Sequence, residues 1–178
     1  MSLPHPFYTV AYIDVSPSAR AQVEELRANH DPHADVVGPH FTMVFGCKAV
    51  PEAEYNAHIA VVARSAKQIK FHCRYAMLGA DDIDERAYVF LVPDEGNSSI
   101  SLLHDRLHTG PLAEHIRLEF PYIPHITVAS THDRKLAKSL CDGLNSAGVD
   151  VQGTVRSLTV GLLVDGKFHA IAEHSLAV

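Results

Sequence analysis

Two five-residue runs, Pro39-His40-Phe41-Thr42-Met43 and Pro124-His125-Ile126-Thr127-Val128, share one pattern and stand 85 residues apart. In an extended chain residues i and i+2 fall on one face, about 6.6 Å apart. His40 with Thr42, and His125 with Thr127, therefore project together, while Phe41, Met43, Ile126 and Val128 face the core. The prolines suit the first position of a strand and hold the preceding residue extended. One such run is a weak signal, but two require a fold with two equivalent strands, each polar on one face and apolar on the other.

The surroundings of the runs repeat as well. FYTVAYID (7–14) reads as a strand, and Ser16-Pro17 after it as an N-cap with proline at the first helical position. The helix it opens carries Ala19, Val23 and Leu26 on one stripe and is expected to fade before His30-Asp31-Pro32. After the first His/Thr strand, Tyr55, Ile59 and Val62 mark a helix over 52–66, and Ile69 to Leu78 is extended. ADDIDE (80–85) reads as a polar turn and Arg86 to Val92 as a strand. Ile100, Leu103 and Leu107 then mark a helix closed by Gly110-Pro111. The second His/Thr strand follows, then a helix on Leu136, Leu140 and Leu144 that ends near Gly148, and strands around an Asp165-Gly166 hairpin turn. Strand, helix, His/Thr strand, helix, strand thus occurs in 7–78 and again in 86–164. Taken alone, this alternation favours a parallel α/β sheet.

A chain of 178 residues fits one domain and, at 47% hydrophobic and 20% charged, is ordinary for a soluble globular protein. The net charge of −6 argues against broad binding to duplex DNA, which needs a dense Lys/Arg surface. MSLPHPFYTV has neither a basic n-region nor an apolar h-region, and no apolar run approaches the ~18 residues of a membrane span. A cytoplasmic monomer that engages no membrane is expected. Cys47, Cys73 and Cys141 form no C-x-x-C pair and read as reduced core residues.

Thirteen histidines invite a metal reading, but His104 and His108, at helical i, i+4 spacing, lack an evident third ligand and read as a solvated face. Arg64, Lys67 and Lys70 read as a solvated cluster near a helix end. GNSSIS (96–101) reads as a helix cap, not a nucleophile elbow or phosphate loop.

Two imidazoles and two hydroxyls brought to one cleft suit in-line displacement at phosphorus. One imidazole takes the proton of the attacking oxygen and the other protonates the leaving oxygen; unperturbed pKa values of about 6.5 set an expected optimum around pH 6 to 7.5. The threonines would hold the non-bridging oxygens, and neither a metal nor another cofactor is called for.

The paired His-hydrophobic-Thr-hydrophobic runs resemble those of the two-histidine phosphoesterase superfamily, the group that includes 2′,3′-cyclic phosphodiesterases and 2′-5′ RNA ligase-like proteins. FYTVAYID is similar to its usual first strand, and FPYIPHITV to its cyclic phosphodiesterase members. The resemblance implies an α+β fold: a bilobal, pseudo-two-fold duplicated unit with antiparallel sheets lining a central groove and helices outside. It spans one two-lobed domain with halves of roughly 1–80 and 85–178. It also implies His40 and His125 as catalytic residues, Thr42 and Thr127 as phosphate binders, and Tyr122 as a cleft aromatic. Where many RNA-ligase-like relatives have a basic residue just past the second run, this chain has Ser130 and Thr131, which favours small substrates. The expected activity is metal-independent hydrolysis of a cyclic phosphate: a 2′,3′-cyclic nucleotide, an RNA end or a nucleotide-sugar cyclic phosphate. The alternatives are cleavage or joining of 2′-5′ linkages in RNA, and non-catalytic binding of a nucleotide or RNA end.

Overall fold

The computed structural model describes residues 5–80 and 85–178, so most of the ADDIDE turn lies outside the described residues. In chain order the first half contains β1 (Phe7–Tyr12), β2 (Asp14–Val15), α1 (Pro17–His30), β3 (His40–Cys47), α2 (Glu52–Arg64) and β4 (Ile69–Ala80). The second contains β5 (Ala87–Glu95), α3 (Asn97–Leu107), a 3-10 turn (Gly110–His115), β6 (Ile126–Thr131) and α4 (Arg134–Ala147). It closes with β7 (Val151–Val155), β8 (Ser157–Val164) and β9 (Lys167–Ser175).

The local signals act where their chemistry places them. Ser16 caps α1, its Oγ accepting from the Ala19 amide at 3.2 Å, and Pro17 opens the helix. The helix runs to His30, through the first residue of the expected breaker. Asp165 and Gly166 both have positive φ, 49° and 73°, as a type I′ hairpin between β8 and β9 requires. Gly96 caps α3 through its backbone: φ is +83°, and a Cβ there would stand 2.3 Å from the Lys70 carbonyl oxygen. The α4 stripe is rotated from the expected one. Ala137 and Cys141 are buried and Leu136 is 42% exposed, because the two small residues let the helix sit close against β4, β5 and β6.

The strands form a four-stranded sheet ordered β3-β1-β8-β9 and a five-stranded sheet ordered β2-β7-β4-β5-β6. Every strand pair within them is antiparallel, which corrects the parallel arrangement suggested by element alternation alone. The reason lies in the helices. In a βαβ crossover the helix packs over the strands it joins, whereas α1 lies against β6 of the other half, and α3 reaches β3 of the first half.

The duplication is visible in the strand orders. β3-β1 of one sheet corresponds to β6-β5 of the other, and each half sends its later strand across: β4 pairs with β5, and β8 pairs with β1. The fold is thus a mixed α and β architecture of two antiparallel sheets, each ending on a His/Thr strand. α2 backs β8 and β9, α4 backs β4, β5 and β6, and Phe41 meets Phe71 edge-on at 5.1 Å in the shared core. Cys47, Cys73 and Cys141 are free and buried. Among the described residues no helix is long and apolar enough to cross a membrane.

Candidate active site

The two runs have the same burial pattern. Pro39, Phe41 and Met43 are buried while His40 and Thr42 are partly open; Pro124, Ile126 and Val128 are buried while His125 and Thr127 are partly open. Antiparallel strands put directly opposed residues on one face. Tyr12 opposes His40, Val10 opposes Thr42, and Phe90 opposes Thr127. β3 and β6 are the edge strands of their sheets and lie beside each other, so the two His/Thr pairs come to one place.

Each imidazole is fixed in the same way. His40 Nδ1 donates to the Gly38 carbonyl at 2.7 Å, and His125 Nδ1 donates to the Ile123 carbonyl at 2.7 Å. In both cases the acceptor belongs to the residue before the proline. A carbonyl only accepts, so the proton of each neutral ring sits on Nδ1 and the Nε2 lone pair is left for chemistry. Thr42 Oγ1 lies 3.1 Å from His40 Nε2, and with this tautomer the hydroxyl donates to it.

Electrostatics keep both rings neutral. Burial is the main cause that lowers His40, to about 4; the cations of Arg27 and of a protonated His125 push the same way, and the Gly38 bond and Asp31 oppose them. His125 is also lowered by burial, against the bond to Ile123. Repulsion between the rings belongs to the pair and falls on whichever is protonated second. Arg27 is itself buried in an ion pair with Asp31 at 3.1 Å, and its Nη2 donates to the Val37 carbonyl at 2.8 Å, pinning the loop that leads into His40.

Tyr122 is partly buried, and its hydroxyl donates to the Thr42 carbonyl at 2.9 Å, tying the segment that delivers His125 to the strand that delivers His40. Burial raises its pKa, so the phenol is a neutral donor. Its ring stacks on His104, 3.7 Å between centroids and 6° between planes. His104 is therefore buried, not on a solvated face as the spacing suggested; its Nδ1 bonds Asp105 at 3.0 Å, and His108 Nδ1 donates to its carbonyl at 2.8 Å. Among the described residues no cluster of three His, Cys, Asp or Glu side chains would hold a metal ion.

Sequence reasoning missed several aromatic and basic residues about this site. Phe90 stacks on His125 at 3.8 Å, and Tyr12 meets His40 edge-on at 6.4 Å. Arg27 presented only as a polar position on a helix. Phe45, 48% exposed at the far end of β3, and Phe120, 43% exposed, flank Arg117, whose guanidinium lies 5.5 Å and 4.8 Å from their ring centroids. Lys67 and Lys70 line a surface hollow of about 320 Å³ with Arg106, and no residue of the two runs borders it.

A pair of imidazoles with fixed tautomers, each two residues before a partly open threonine, defines a two-histidine site. The sequence profile of the 2′-5′ RNA ligase superfamily matches residues 15–166, and the chain belongs to that superfamily of two-histidine phosphoesterases and RNA ligases. No curated protein sequence matches it significantly. Among solved structures, Escherichia coli LigT in apo form superposes with a TM-score of 0.59 at 17% identity, over 99% of this chain and 100% of that one. LigT complexed with 3′-AMP gives 0.59 at 17% over 98% and 99%. Kluyveromyces marxianus Usb1 gives 0.58 at 10% over 96% and 97%.

Proposed function

We propose that the protein is a metal-independent phosphodiesterase that opens a cyclic phosphate on a small nucleotide or an RNA end. The observation behind this reading is the pair of imidazoles, each with Nδ1 committed to a carbonyl and Nε2 left as the reacting atom. In the hydrolysis one Nε2 removes a proton from water as its oxygen bonds phosphorus, and the other Nε2–H protonates the ribose oxygen as the ring P–O bond breaks, leaving a phosphomonoester. Thr42 and Thr127 donate to the non-bridging oxygens, for which the Thr42 hydroxyl swings away from His40. The two proton transfers are complete without a metal-bound hydroxide.

The exposed Phe45 and Phe120 about Arg117 supply faces on which a base stacks, and the reading is supported by the fold likeness to LigT, which was crystallised complexed with 3′-AMP. A net charge of −6 favours small substrates over duplex DNA. Because one chain supplies both imidazoles, a monomer suffices.

The test is turnover of 2′,3′-cyclic nucleotides and 2′-5′ dinucleotides after exhaustive chelation, by wild type and by His40→Ala and His125→Ala. We expect cyclic phosphate opening to survive EDTA and to fall about 10²-fold or more in each variant. Activity restored only by a divalent ion, or near-normal turnover in either variant, would refute the mechanism. Turnover confined to 2′-5′ linkages would transfer the site to RNA cleavage or ligation.

A further inference from the structure

The two imidazoles have different surroundings, and this difference assigns their roles. His40 meets the edge of Tyr12, 6.4 Å away at 75°, and has the buried Arg27 cation behind its loop. His125 lies flat on Phe90, 3.8 Å between centroids at 25°. An aromatic face adds an electrostatic attraction for a cation to the dispersion that a neutral ring gains as well. Together with the bond from Nδ1 to Ile123, the stack also fixes the plane of the imidazole.

Phe90 occupies this place because of Gly79 on the neighbouring strand. A Cβ at Gly79 would stand 2.0 Å from Phe90 Cε2 and 2.6 Å from Cζ, so one edge of the ring fills the space that any side chain there would take. The β5–β6 pairing is irregular between Val89 and Phe90: Val89 opposes Ala129 and Phe90 opposes Thr127, so β6 carries an extra residue at the site. Such bulges re-aim side chains beside functional groups.

We propose that Phe90, seated over Gly79, is the positioning residue of His125 and favours its imidazolium, so that His125 is the proton donor to the leaving oxygen and His40 the base that activates the nucleophile. This rests on the acid–base reading of the pair. Besides each other, the charged groups acting on the pair are Arg27 and Asp31 at the end of α1, through His40 on β3.

The experiment combines NMR titration of the His125 ring in the free protein with kinetics of Phe90→Leu, Gly79→Ala, Phe90→Ala and the Gly79→Ala/Phe90→Ala pair. In Phe90→Leu the His125 titration should move acid by about half a unit while that of His40 stays, since a partly exposed cation–π contact is worth that much. Turnover should fall about tenfold. Gly79→Ala should cost as much alone yet less than twofold in the Phe90→Ala background, because the ring it displaces is gone. On a p-nitrophenyl phosphodiester, whose leaving group needs no proton, His125→Ala should recover to within about tenfold of wild type and His40→Ala should not. An unmoved His125 titration, or independent losses in the double variant, would overturn the positioning role. Recovery of His40→Ala instead would reverse the acid and base. Because the titration needs no turnover, the positioning role can fail or stand separately from the proposed activity.

Discussion

A pH profile tests the site most directly, because the imidazoles of the free protein do not have the values their sequence suggests. kcat/KM reports the free enzyme. The base must be neutral, which sets an acid limb at the His40 value of about 4, and the acid must be protonated, which sets an alkaline limb at the His125 value, lowered from 6.5. The optimum of kcat/KM therefore lies between about 4 and 6.5, not around 6 to 7.5, and the rate falls tenfold per unit above the upper limb. Bound phosphate raises both values, so the kcat profile should lie at higher pH than that of kcat/KM. The magnitude follows from His40. A shift from 6.5 to about 4 at about 1.36 kcal/mol per unit sets an upper bound of about 3 kcal/mol on the penalty for charging it in place, reduced by its partial exposure. The sign carries to folding. The native state resists a proton that the unfolded chain accepts below 6.5, so stability is full above 6.5 and is lost as pH falls towards about 4. Steady-state kinetics on a cyclic nucleotide from pH 3.5 to 9, with denaturant melts of wild type and His40→Ala over the acid half, measure both. An alkaline limb of kcat/KM above pH 7, or equal acid losses of stability in the two proteins, would refute the reasoning.

Three other perturbations have determined directions. Arg27→Met leaves Asp31 buried without its cation and frees the Val37 carbonyl, so it should cost about 3–5 kcal/mol in a denaturant melt; in what remains folded the acid limb should move up, since Arg27 lowers His40. Tyr122→Phe keeps the stack on His104 but removes the bond to Thr42, and should cost about 1 kcal/mol of stability with a larger loss in kcat than in KM. Gly96→Ala forces a left-handed φ of +83° on a side chain that meets the Lys70 carbonyl, and should lower the melting temperature without changing the pH profile.

Much of the fold was legible because its signals are local. The Ser16-Pro17 cap, the Asp165-Gly166 turn and the apolar stripes of α2 and α3 each act within a few residues, and the structure places them where that chemistry requires. Strand direction was not legible from alternation. It depends on where a helix packs, and α1 packs against β6, more than ninety positions further along the chain. The α4 stripe was read a position off because leucine marks hydrophobicity, while close approach to a sheet selects small residues such as Ala137 and Cys141.

The site divides along the same line. His40, Thr42, His125 and Thr127 announce themselves because each run packs its polar pair and its anchoring residues into five positions. Their partners come from elsewhere: Arg27 from α1, Phe90 from β5, Gly79 from β4 and His104 from α3, none with a local signature. The exchange of strands explains why they are scattered. β5, which carries Phe90, takes its place beside β6 with β4, from the first half, on its other side. Gly79 of one half thus makes room for the ring that holds the histidine of the other. His125 draws on the first half for the seat of its stacking ring, and Tyr122 of the second half bonds the strand that carries His40. A duplicated unit whose copies did not exchange strands would bring two histidines together with independent supports. Here Gly79 of the first half seats the ring stacked on His125, and Tyr122 of the second half ties down the strand of His40, so the two imidazoles are held in one fixed relation, as the proposed two-imidazole reaction demands.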